Sequence, residues 1–182
     1  MNADLTAQLP FTATDDIRSA IASAGRTEDV KFSPDSRRLA IAGFKSGRCL
    51  LVEVDMDFSA GRRSIALGNL IEIQSPDLLE PHGVGFLDSE TLVVANRQGT
   101  VRVFKLPPPG SSGSFALSAE RMAGEAGFQK TASPGSVAVM PLGRDRYDVL
   151  VCNNFADQVT RHRLVGGTPP HVRKTGCCSR RG

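Results

Sequence analysis

The chain has no tryptophan and one tyrosine, and its nine phenylalanines are thinly spread over 182 residues. So few flat rings disfavour a surface that stacks sugars or nucleobases. No run approaches the ~18 consecutive apolar residues of a membrane-crossing helix, so no membrane partner is expected. The opening MNADLTAQLPFTATDD has neither a basic n-region nor an apolar centre, unlike a secretory signal. The expected compartment is therefore cytoplasmic, with cysteines reduced. Strong catalytic signatures are also missing: there is no G-x-S-x-G elbow, no phosphate-binding glycine loop and no H-E-x-x-H.

The formal charge of +3 conceals an asymmetry. Arg161, Arg163, Arg173, Lys174, Arg180 and Arg181 contribute +6, and no acid follows Asp157. Taking +6 from +3 leaves residues 1–160 at −3, an acidic body with a basic end. The alkaline isoelectric point is thus no argument for nucleic-acid binding, and no nucleic-acid partner is expected. Cys49 and Cys152 fall inside strand-like segments and read as small core hydrophobes. Cys177 and Cys178 are adjacent, with His171 upstream, a poor match to zinc-ligand spacing.

What the chain does have is a sentence written three times. EDVKFSPDSRRLAIAGFKSGRCLLVEVD begins at Glu28, HGVGFLDSETLVVANRQGTVRVFKL at His82, and GSVAVMPLGRDRYDVLVCNNFADQVTRHRL at Gly135. Each opens with an apolar alternation, crosses a polar turn, runs through an apolar strand, turns again and ends in a third strand. Val30, Val84 and Val137 share one slot, giving periods of 54 and then 53 residues. Ser64 to Ile73 suits a fourth, outer strand of the first unit, and Phe115 to Ser118 begins one in the second. The prolines of PPPGSSG, 107–113, mark an exposed loop, since they cannot join a ladder. Ahead of the repeats, Thr14 precedes Asp15 and Asp16, apolar residues follow at helical spacing, and Gly25 closes the segment: a short capped helix.

A period of this length with up to four short strands is that of a propeller blade. The FSPD turn at Phe32–Asp35, the strands LAIAG (39–43) and LVVAN (92–96), and the G-x-V-x-V-F ending at Gly99–Phe104 resemble WD-repeat-like and other bacterial β-propellers. The resemblance covers residues 26–165 and departs from true WD repeats in lacking the Trp-Asp and Gly-His pairs. It implies an all-β fold, a partial β-propeller of about three four-stranded antiparallel blades plus the helix. The expected division is an N-terminal segment 1–25, blades at about 26–75, 76–125 and 126–165, and a basic, disordered tail 166–182. A closed ring needs at least four blades, so the chain reads as a fragment or truncated form, or as one that completes a ring by self-association.

Aligning the repeats places Glu28, His82 and Gly135 in one slot and Asp29, Gly83 and Ser136 in the next, at the start of each first strand. PHGVGF, 81–86, resembles the corresponding segment of gluconolactonase and regucalcin-like propellers. In that family a divalent metal such as calcium, held by Glu, Asn and Asp, activates water against a lactone. The resemblance puts His82 where a carboxylate ligand stands, with Glu28 able to ligate, so Glu28 and His82 are the catalytic and metal-binding candidates. Asn96 and Asn153, at the ends of the second strands, suit turn capping better than ligation. His162, between Arg161 and Arg163, suits an edge strand that blocks pairing. The favoured reading is a non-catalytic interaction scaffold without a cofactor, binding a protein partner or itself. The alternative is a metal-dependent, lactonase-like hydrolase.

Overall fold

The computed structural model describes residues 10–59, 64–120 and 131–166. The fold is all-β with one short helix, α1 (Asp15–Ser23). The Thr14 hydroxyl accepts from the Ile17 N–H at 3.4 Å, acids occupy the first turn, and Gly25 follows the C-cap at φ +69°.

The first sheet is an antiparallel meander of β2 (Thr27–Phe32), β3 (Arg38–Gly43), β4 (Arg48–Asp57) and β5 (Ser64–Gln74). Its FSPD turn closes through the Ser36 N–H onto the Ser33 carbonyl at 2.8 Å, with the Ser33 hydroxyl on Asp35 at 2.6 Å. The second sheet is β6 (Pro81–Asp88), β7 (Thr91–Asn96) and β8 (Val101–Lys105). The third is β10 (Pro134–Pro141), β11 (Arg146–Asn153) and β12 (Gln158–Val165). The shared slot is visible in the register: Val30 faces Ile41, Val84 faces Val94, and Val137 faces Val151.

Two strands depart from the expected plan. β1 (Phe11–Thr12) and β9 (Gly113–Ala116) both add in parallel to β5. Phe115 therefore belongs to the first sheet, not to the outer edge of the second. The prolines at 107–109 carry the chain off the β8 edge, and only at Glu120 does an N–H return to the Val103 carbonyl, at 2.7 Å. Among the described residues the second and third sheets have three strands each. The tail with His171, Cys177 and Cys178 lies outside the described residues.

The sheets stack face to face in chain order. Ala40, Ala42, Cys49 and Leu51 pack on Val84, Phe86, Leu92, Val94 and Phe104. The reverse side of the second sheet, with Val93, Ala95, Val101 and Val103, packs on Val137, Tyr147, Val149 and Val151. The outer side of the first sheet, at Ile41, Leu50 and Val52, is covered by Ile17 of α1 and by Ala24. Gly83 permits the closest approach: a Cβ there would lie 2.9 Å from the Ser136 Cα and nearer still to the Gly135 carbonyl.

The ends of this stack differ from its interior. Val84 and Val137 are 0% and 5% exposed, whereas Val30 in the same slot is 52% exposed, and Phe32 beside it is also exposed. Their alternation with polar neighbours suits the buried face of a half-buried strand, but among the described residues no sheet precedes theirs, and the residues packed with α1 do not include them. Cys49 is enclosed between the first two sheets, and burial pushes its thiol up to about 12. Cys152 lies on the outer side of the third sheet and is only half-buried, so it is not the core residue expected. His162 stands on β12, the last strand of its sheet, against the Thr160 hydroxyl at 2.7 Å.

Candidate functional site

The three first strands carry an irregularity at the same place. Their registers shift between Thr27 and Val30, between Pro81 and Gly83, and between Pro134 and Val137. Such bulges lift residues out of the ladder and re-aim their side chains. The aligned slot of Glu28, His82 and Gly135 sits on these bulges, along one edge shared by all three sheets.

The structure brings Glu28 and His82 together. The His82 Nε2 is 3.5 Å from a Glu28 carboxylate oxygen. Each is also held by an arginine: Arg26 ion-pairs with Glu28, and Arg97 Nη2 is 3.0 Å from the His82 Nε2. A guanidinium can only donate, so this contact requires Nε2 to be the unprotonated nitrogen and Nδ1 to carry the hydrogen. Burial, then the Arg97 charge, hold the imidazole below its ordinary value, while Glu28 pulls the other way. Protonation would turn Nε2 from an acceptor for Arg97 into a donor toward Glu28. Asp29 in the next slot accepts the Val84 N–H at 3.1 Å, tying the first sheet to the second.

The residues that knit this edge together lie elsewhere in the sequence. Phe44, Arg97 and Asn154 each follow the last residue of a second strand, Gly43, Asn96 and Asn153. Each reaches the next sheet or its neighbour there. Phe44 meets the His82 ring edge to face at 6.2 Å, and Arg26 lies 5.0 Å over the Phe44 ring. With the Asn154 amide oriented to satisfy both its polar atoms, its oxygen accepts from Arg97, 2.8 Å from Nη2. Sequence reasoning missed these three as site residues, because it read Arg97 only as part of a turn; their common mark is the slot directly after each second strand.

Asn96 and Asn153 themselves are buried and structural. Asn96 accepts the Leu79 N–H at 3.1 Å and donates to the Thr100 carbonyl at 2.9 Å. Asn153 accepts the Ala132 N–H at 3.1 Å and donates to the Thr160 hydroxyl at 2.8 Å. In both sheets the side chain pins the incoming segment to the following turn.

Above these residues lies a cleft of about 400 Å³, lined among others by Arg26, Phe44, His82, Arg97 and Phe155. Phe155 is 84% exposed. The donor set does not fit a hard divalent cation. Calcium takes six to eight oxygen ligands, and here the Glu28 carboxylate and the His82 imidazole are flanked by two guanidinium groups whose field opposes a cation, while the Glu80 carboxylate at the cleft accepts from Gln98 at 2.7 Å. Among the described residues no cluster of three or more His, Cys, Asp or Glu side chains is placed to hold a metal ion.

No family profile and no curated protein matches the chain. Among solved structures it is similar to a protein of unknown function from Desulfotomaculum acetoxidans, at 18% identity and a TM-score of 0.44, over 74% of this chain and 40% of that one. It is also similar to a candidate 6-phosphogluconolactonase from Bacteroides uniformis, at 15% identity and a TM-score of 0.31, over 85% of this chain and 58% of that one. The chain thus spans less than two thirds of either protein.

Proposed function

We propose that the chain is a non-catalytic interaction scaffold, built as three blades of a propeller-type stack, whose cleft beside Arg97 and Phe155 contacts a protein partner. The observation that supports this most is the Arg97 bridge. Arg97 leaves the second sheet and binds His82 and Asn154, occupying the polar atoms a reacting substrate or metal would need. What remains free at the cleft is an exposed phenylalanine beside guanidinium groups. Aromatic residues and arginine are the side chains most enriched where protein interfaces hold their binding energy.

The test combines turnover with partner capture. Simple lactones with added calcium, zinc or manganese are expected to show no hydrolysis above buffer. Metal-dependent turnover that Glu28→Ala abolished would establish the hydrolase reading instead. A partner retained by the intact chain should be lost with Phe155→Ala and kept with Phe58→Ala, an exposed phenylalanine outside the cleft. Equal retention by both variants would remove the cleft from the account.

A further inference from the structure

The two ends of the stack carry the two halves of the interface that its interior uses twice, although α1 already covers Ile41, Leu50 and Val52 of the first-sheet half and leaves Val30 and Phe32 bare. Strand registers fix the correspondence. Ile41, Val94 and Val151 lie opposite the three slot valines, so Ala40, Val93 and Leu150 are equivalent, as are Ala42, Ala95 and Cys152. The partners of the last set across the next strand are Cys49, Val101 and Val159. In the first two sheets these residues are buried under the following sheet, with Ala40 and Val93 both 0% exposed. In the third sheet Leu150 is 37% and Val159 66% exposed. The other half of the same interface, the slot valine and the aromatic or aliphatic residue two places on, is bare only in the first sheet, at Val30 and Phe32.

We infer that a second copy of this chain covers these surfaces head to tail, Val30 and Phe32 of one copy seating on Leu150, Cys152 and Val159 of the other. Charge supports this occupant. The first-sheet end carries α1 over its outer face, and the exposed Asp15 and Asp16 in its first turn pair with no cation among the described residues. The third-sheet end carries the exposed Arg161 and Arg163, which share the single buried Asp148 at 3.8 and 2.9 Å. Counting Arg18 of α1, which engages Phe11, against Asp15 and Asp16, and Asp148 against Arg161 and Arg163, leaves one net negative charge on the helix and one net positive charge on the third sheet's outer face. A pairing of unlike patches is heterologous, and it closes when the rotation allows. Two copies bring six sheets together, within the four to eight blades of known closed rings. The inference rests on the sheet stack and not on the cleft, so its failure would leave the cleft reading untouched.

Sedimentation velocity over a wide concentration range tests it, using the intact chain, Val30→Glu, Val159→Glu and an equal mixture of the two. Both positions are exposed, and unchanged thermal unfolding by circular dichroism confirms that each variant folds. The intact chain is expected to dimerise with concentration. Each variant alone should dimerise at least tenfold more weakly, because every contact would then include one blocked end. In a mixed pair one contact is intact and the other doubly blocked, so the mixture should dimerise more strongly than either variant alone and more weakly than the intact chain. A monomer at every concentration overturns the inference. So does a Val30→Glu chain that still dimerises, which would mean two third-sheet faces pairing with each other, or a mixture that dimerises no more strongly than the single variants.

Discussion

Val84 and Val30 hold the same slot in adjacent sheets, yet one is sealed and the other stands half in water. Nothing local separates them: each sits on a first strand, after a bulge, opposite an aliphatic residue of the second strand. The difference is the neighbour. A slot residue is buried by the sheet before it in the stack, and among the described residues the first sheet has only α1 on that side. The fold is therefore modular in its strands and cooperative in its burial, as in repeat architectures generally.

The sharpest way to break this contrast is at Gly83, where the second and third sheets touch backbone to backbone. Gly83→Val should cost about 3 kcal/mol or more, since overpacking costs 1–3 kcal/mol where side chains can yield and the obstacle here is main chain. Urea denaturation reads the loss, and a change under about 1 kcal/mol would mean that the sheets are not in this contact. Next comes the slot itself. Val84→Ala should cost about 2 kcal/mol, while Val30→Ala in dilute protein should stay within about 0.5 kcal/mol. Equal costs would erase the distinction between interior and end.

A smaller effect concerns pH at the cleft. The His82 imidazole is held below its ordinary value of about 6.5 by burial and Arg97. Between that lowered value and 6.5 the folded chain binds fewer protons than the unfolded one. Its contribution is therefore complete above about pH 6.5 and is lost as the pH falls through the folded value. His82→Gln should flatten that segment of the stability profile. An identical profile in both proteins would show that His82 is not the titrating group. The smallest effect is expected at Asp148, whose carboxyl the Arg163 hydrogen bonds hold below the usual carboxylate range. Asp148→Asn should remove a loss of stability that sets in only below about pH 4.

The strands were legible because their signals are local: two-residue alternation, proline and Asp-Ser turns, and the Thr14 cap. Pairings between distant segments were not. Phe115 has a strand's composition on either edge, and only the path of the proline loop decides that it joins β5. Likewise Val30 and Phe32 have core composition, and composition does not record whether a sheet lies in front of them. At the candidate site, aligning the repeats put Glu28 and His82 side by side. The guanidinium groups that engage them come from Arg26, just ahead of the repeat, and from Arg97, in a turn that reads only as a connection.

The two cysteines offer the most direct measurement. Cys49 and Cys152 lie on equivalent faces, one roofed by the second sheet and the other at the open end of the third. In dilute native protein, alkylation followed by peptide mass mapping should label Cys152 at least about tenfold faster than Cys49, because a roofed thiol reacts only through opening of the structure. Equal labelling of the two would contradict the account of a sealed interior between open ends.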